Sequence, residues 1–239
     1  PMIMIEGKPI LEREIECLRS QGIVDIIITV SYLADQIINY FGDGTLFGVN
    51  IDYFIENVPL GNAGALFMIR EKIDQDFLLI NADSIFDIDI NRFVAHHREK
   101  KALVSIFTHP NSHPYDSGLI IAEEDGNVIR WLTKEEKRPK WFKNRVNAGF
   151  HIINPKIFDL IDEKGNISKT IKNGSAMKVD LDRQVLRPLC GTGKLFCYDS
   201  PEYIKDMGTP ERYEEVCEDY RKGKVKAEFD QQFHIILQS

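Results

Sequence analysis

The sequence predicts an α/β fold: a twisted, mostly parallel sheet flanked by helices, with a small antiparallel section in the second half. Three observations predict it. Asp25 to Val30 (DIIITV) is a β-branched run without alternation, the mark of a strand buried on both faces. From 22 to 108, strand-like runs alternate with segments of helical period, as parallel βαβ units require. Later, Gly118 to Ala122 and Val128 to Leu132 flank Asp125-Gly126-Asn127, a turn that reads as an antiparallel pair.

The elements follow in order. Pro9 to Arg19 reads as a helix, with Pro9 in its first turn, Ile10, Leu11, Ile15 and Leu18 at helical spacing, and Gly22 as its stop. A helix is expected over Leu33 to Phe41, a strand over Val49 to Ile55, and a helix over Ala65 to Lys72 after the loop PLGNAGAL at 59–66. Phe77 to Ile80 reads as strand, Ile90 to Lys100 as helix and Ala102 to Thr108 as strand. Lys134 to Arg145 is charged, holds Pro139 and is expected to be an exposed loop. Val146 to Asn154 is a strand, and Asp180 to Leu189 and Pro210 to Arg221 are helices, with Thr209 as the cap of the second. Residues 1–221 read as one domain and 222–239 as a tail or linker.

The chain has 239 residues, 43% hydrophobic and 28% charged, which suits an ordinary soluble core. A formal charge of −7 argues against a nucleic-acid surface, though not against a small anion met by local cations and a metal. The apolar runs are too short to span a membrane, and Pro1 to Ile5 lacks the flank and length of a signal peptide. Cys17, Cys190, Cys197 and Cys217 form no CxxC pair and read as reduced thiols, which places the protein in the cytoplasm.

Ligands of such sheets bind outside the carboxyl ends of the strands, so residues just past strands hold the candidate chemistry. Asp83 follows the strand Phe77 to Ile80 and reads either as a turn cap or as a ligand to magnesium, a hard ion held by one or two carboxylates plus phosphates. Asp206, in YIKDMGTPERY before a helix, reads either as a turn residue or as a second ligand. In PLGNAGAL, Gly61 and Gly64 permit close backbone approach and the following helix start offers free N–H groups; the loop suits a nucleotide or simply begins a helix. Lys134 sits in a charge run and is either solvated or a phosphate ligand. Asn147 offers both donor and acceptor to a sugar hydroxyl, Gly149 admits a ring, and Tyr115, Ser117 and Gly118 are placed to line the same pocket. His96, His97, His109 and His113 lack metal spacing and are expected at the surface.

Taken together, Glu6 to Glu12 (EGKPILE), Pro59 to Leu66 (PLGNAGAL), Asn81-Ala82-Asp83, Asn147-Ala148-Gly149 and Asp206 to Tyr213 (DMGTPERY) resemble the sugar-1-phosphate nucleotidyltransferase family, in the family's order and up to about Arg221. The style of NADS and PYDSG looks most like the bacterial guanylyltransferases for mannose 1-phosphate or D-glycero-D-manno-heptose 1-phosphate. The resemblance implies a Rossmann-like sheet of the nucleotide-diphospho-sugar transferase type and transfer of a nucleotidyl group, with GTP as donor, to a sugar 1-phosphate. It implies Mg2+ on Asp83 and Asp206, nucleotide against Leu60, Gly61, Asn62, Gly64, Asn81 and Asp83, and sugar phosphate near Tyr115, Gly118, Lys134, Asn147, Gly149 and Asp180. It also implies catalytic roles for Asp83, Asp206 and Lys134, and members of the family often assemble into homo-oligomers.

Three departures stand out. The family's first strand and its GGxGTRL phosphate loop precede the position of Pro1, so a truncated chain is expected. The family's Glu-Lys-Pro motif appears as Thr133-Lys134-Glu135, and its late Glu–Asp pair is blurred in Met177-Lys178-Val179-Asp180. Two rival readings are a non-catalytic subunit that binds nucleotide sugar and a metal-dependent glycosyltransferase, whose DxD motif is matched nominally by Asp87-Ile88-Asp89.

Overall fold

A computed structural model describes residues 1–110, 118–163 and 178–225. It opens with a two-stranded hairpin, β1 (Met4–Ile5) and β2 (Lys8–Pro9), that the sequence did not announce. Helix α1 (Ile10–Ser20) follows, with Pro9 at its N-cap and Gly22, at φ +84°, turning the chain after it. Next come β3 (Asp25–Val30), α2 (Ala34–Phe41) and β4 (Asn50–Ile55), with β3 and β4 paired in parallel from Asp25↔Asn50 to Val30↔Ile55.

The loop at 59–63 leads into α3 (Gly64–Met68), shorter than the helix expected to reach Lys72; a separate 3-10 turn covers Arg70–Lys72. Then follow β5 (Phe77–Ile80), β6 (Ser84–Asp87), α4 (Ile90–Lys100) and β7 (Val104–His109). Asp89 caps α4 by accepting from Arg92 N at 3.1 Å, so Asp87-Ile88-Asp89 is the start of a helix rather than a metal motif. The hairpin β8 (Leu119–Ala122) and β9 (Val128–Leu132) forms as expected and is followed by β10 (Val146–Ile153) and α5 (Lys156–Glu163). The segment expected to be helical over 180–189 is a π-helical stretch, Leu181–Leu186, followed by a 3-10 turn, Arg187–Leu189, where Pro188 removes a backbone donor. β11 (Leu195–Asp199), β12 (Tyr203–Asp206) and α6 (Pro210–Arg221) complete the described fold, with Thr209 capping α6 through Arg212 N.

In the main six-stranded sheet the order is β11-β7-β10-β8-β9, and β5 also pairs with β10, on its edge away from β7. β11 lies parallel to β7, and β10 runs antiparallel to both β5 and β7, so β5, β7 and β11 share one direction. The parallel strands and their helices are the expected α/β frame; β10 and the β8–β9 hairpin are its antiparallel section.

Apolar cores fill both faces. Phe93 of α4 is fully buried among the rings of Phe107, Phe150 and Tyr198. Burying one such side chain contributes about 1.5–3 kcal/mol. His97, expected at the surface, is instead 2% exposed: the face of α4 that packs on β7 carries it, and its Nδ1 lies 2.8 Å from Ser105 Oγ. His96 and His109 are half-buried and likewise correct that expectation, because one closes against Tyr198 and the other ends a central strand; His113 lies outside the described residues. All four cysteines are free thiols. No helix of the described residues is long and apolar enough to cross a membrane.

Candidate active site

β5 ends at Ile80, the chain turns through Asn81, Ala82 and Asp83, and β6 begins at Ser84. β12 returns antiparallel to β6, with Asp206 opposite Ser84 and Met207 N donating to Asp83 O at 3.0 Å. Two acidic residues far apart in sequence thereby become neighbours across one ladder, both exposed. Asp206 Oδ1 accepts from Gly208 N at 3.1 Å and pairs with Arg212 Nη1 at 2.6 Å. His109, at the end of β7, joins the same corner: burial lowers its imidazole below the ordinary range, and the charge of Asp206 acts in the opposite direction. Behind Asp83, Glu14 of α1 is 4% exposed, and burial pushes its carboxyl well above the ordinary range.

Among the described residues no three acidic, His or Cys side chains gather into a complete metal cage. Magnesium needs none, because it takes one or two protein carboxylates and fills its remaining positions with water and phosphate oxygens. Two exposed carboxylates on adjacent strand ends are a donor set of that kind.

The loop expected against the nucleotide is fastened to the segment that carries Asp180. Val179 N donates to Leu60 O at 2.8 Å, Ala63 N to Val179 O at 3.1 Å, and Leu181 N to the side-chain oxygen of Asn62 at 2.8 Å. Gly61 makes this possible: its φ is +77°, and a Cβ there would stand 2.5 Å from Val179 O. Glu56, just past β4, steadies the same loop by accepting from Leu60 N at 3.2 Å. Gly64 is buried at the start of α3.

A third group forms on β10. Gly149, at φ +72°, lets the Asn81 side chain rest on the backbone where a Cβ would stand, and Asn81 N donates to Gly149 O at 3.1 Å. Asn147 holds Gly149 N at 3.1 Å and reaches Asp182 Oδ1 at 3.5 Å. Burial, and then the charge of Asp180, lifts the Asp182 carboxyl to about 6.

Asp180 does not share that position. Its carboxylate caps the π-helical stretch by accepting from Arg183 N at 2.9 Å. Lys134 is exposed, and its neighbour Glu135 feels the positive charges of both Lys134 and Arg183, which sets this turn beside the Asp180 segment. Gly118 lies against the Trp131 ring, where a Cβ would meet Nε1 at 2.5 Å. Tyr115 and Ser117 lie outside the described residues.

The structure therefore joins Asp83 to Asp206, Leu60 to Asn62 with 179–181, and Asn81 to Asn147, Gly149 and Asp182. Sequence reasoning passed over Asp182, His109 and Arg145. For Asp182 a signal was present: Asp180 stands three before Arg183 at a helix start, which marks it as the cap and leaves Asp182 free for other work. Arg145 corrects the expectation of an exposed loop up to that residue: it is 8% exposed and pairs with Asp199 at 3.0 Å, where Lys143 also binds. Burial opposes ionisation of Asp199, and the two cations hold its carboxyl below the usual range all the same.

Comparison with known proteins gives the family. The family model described as nucleotidyl transferase matches residues 1–223. A UTP–glucose-1-phosphate uridylyltransferase of Synechocystis sp. is 33% identical over 175 residues, 67% of this chain and 45% of that protein. Mannose-1-phosphate guanyltransferase of Yarrowia lipolytica is 27% identical over 217 residues, 89% of this chain and 56% of that protein. The chain thus spans about half the length of the curated relatives it matches. Among solved structures, HddC from Yersinia pseudotuberculosis superposes with a TM-score of 0.74 at 27% identity, covering 92% of this chain and 89% of that one. The same protein complexed with GMP-PN gives 0.73 at 25%, again over 92% of this chain and 89% of that one. With a family model matching nearly its whole length, the chain belongs to the nucleotidyl transferase family.

Proposed function

We propose that the protein transfers a nucleotidyl group from a nucleoside triphosphate, GTP by preference, to a sugar 1-phosphate of the mannose or heptose type, giving a nucleotide sugar and pyrophosphate. The observation that carries this reading is the meeting of Asp83 and Asp206 on paired strand ends. The preference for GTP and mannose leans on the guanyltransferase relative and on the HddC complex with GMP-PN.

In this reading an oxygen of the sugar phosphate attacks the α-phosphorus. The bond from that phosphorus to the bridging oxygen breaks, and pyrophosphate leaves with the electron pair. Such transfers depend on positioning and charge stabilisation, so no protein nucleophile is needed. Asp83 and Asp206 would hold a magnesium ion, which would supply positive charge against that of the triphosphate and the departing pyrophosphate. The backbone of Leu60 to Gly64 and the Asn81 turn flank the nucleotide. Lys134 orients the attacking phosphate, and Asn147 with Asp182 bonds the sugar hydroxyls while Gly149 leaves room for the ring.

The test is pyrophosphate release by the full-length protein from four nucleoside triphosphates, each paired with mannose, heptose and glucose 1-phosphates. Release with GTP and mannose or heptose 1-phosphate is the expected result. Strongest release with UTP and glucose 1-phosphate would correct the substrates, and release with no pair would sink the enzymatic reading.

A further inference from the structure

Asn62 sits in the loop expected to touch nucleotide, yet its side-chain oxygen is turned to the protein, 2.8 Å from Leu181 N. Two backbone bonds, Val179 N to Leu60 O and Ala63 N to Val179 O, lie on either side of Gly61. Together the three make a short ladder between residues 60–63 and 179–181. One residue beyond Leu181, Asp182 meets Asn147, the residue that also holds Gly149 N. A continuous chain of bonded groups therefore runs from the nucleotide loop to the sugar-facing carboxyl.

We propose that Asn62 is a positioning residue that couples the two substrate sites: by fixing Leu181 N it sets Asp182 for the sugar phosphate. This rests on the reading of the site given above. The residue acts on the backbone, so its loss falls on the second substrate rather than on the nucleotide beside it. The coupling also runs the other way. A nucleotide that orders the loop at 60–63 orders residues 179–182 with it.

Two measurements on the full-length protein test this. In steady-state kinetics, Asn62→Ala is expected to raise KM for the sugar 1-phosphate roughly five- to tenfold, the effect of one hydrogen bond, with KM for the nucleotide changed less than about twofold. An equal rise in both, or a rise for the nucleotide alone, overturns the proposal. Amide hydrogen exchange reads the link without turnover. In the wild-type protein, whichever of the four nucleoside triphosphates binds, added with magnesium, is expected to slow exchange at Leu181 and Asp182. Asn62→Ala is expected to abolish that slowing, and Asn62→Asp, which keeps the acceptor oxygen, to retain it. Loss of the link together with wild-type turnover failure sinks only the catalytic reading. Unchanged exchange in Asn62→Ala sinks the coupling whatever the turnover.

Discussion

The two halves of the site are built by opposite means. The acidic half, Asp83 and Asp206, stands exposed on strand ends that a backbone ladder holds together, and its carboxylates face solvent and Arg212. The half around Asn147 and Asp182 is half-buried, and side chains brace it: Asn62 on Leu181, Asn147 on Gly149, Asn147 on Asp182. One half is held by backbone and open to solvent; the other is organised by its own side chains. The difference teaches where energy is stored. Asp83 and Asp206 cost the fold little, whereas Asp182 is held against its tendency to be hydrated.

The largest effect that would break this contrast is on the exposed side. Asp206→Asn is expected to leave thermal unfolding within about 1–2 °C of wild type while lowering turnover at least ~100-fold, as when charge stabilisation of a transition state is removed. Near-normal turnover would show that the acidic half is ornamental. Asp182→Asn sharpens the comparison from the other side. A carboxyl whose folded value, about 6, exceeds its unfolded one, 3.8, weakens the fold at neutral pH, and the penalty disappears as pH falls through 6 toward 4. Urea titrations should therefore find the Asn variant more stable by roughly 1–3 kcal/mol above pH ~7 and no more stable below pH ~4, with weaker use of sugar phosphate. A variant less stable than wild type at neutral pH would remove the idea of stored cost. The smallest effect is expected for Arg212→Ala. Both members of its pair with Asp206 are partly exposed, so its loss should change stability by less than about 1 kcal/mol, and less still at high salt.

The alternation of apolar runs and helical segments made β3, α4, β7 and β10 legible, although β3, read as buried on both faces, is only partly buried. β6, β11 and β12 were not, although two of them frame the acidic pair. Four- and five-residue strands such as SIFD, LFCYD and YIKD are short and each ends in Asp, which leaves no run long enough to detect. Asp83 and Asp206 were legible through motif order, and their contact only through the β6–β12 register. The misplacement of His97 has a simple cause: HH in a charged stretch looks solvated, yet the helical period carries His97 onto Ser105 while His96 turns toward Tyr198. The family resemblance sets Asn62 against the nucleotide; sequence gives no hint that a residue more than a hundred positions later bonds its side chain.

The thiols have a practical consequence. Cys17 and Cys217 lie inside apolar clusters, and burial pushes the Cys17 thiol up to about 12, so almost no thiolate is available to an alkylating reagent at neutral pH. Modification of these side chains then requires the surrounding helices to part. The labelling rate at Cys17 and Cys217, read residue by residue apart from the partly exposed Cys190, becomes a clock for that opening, one that runs without any engineered probe.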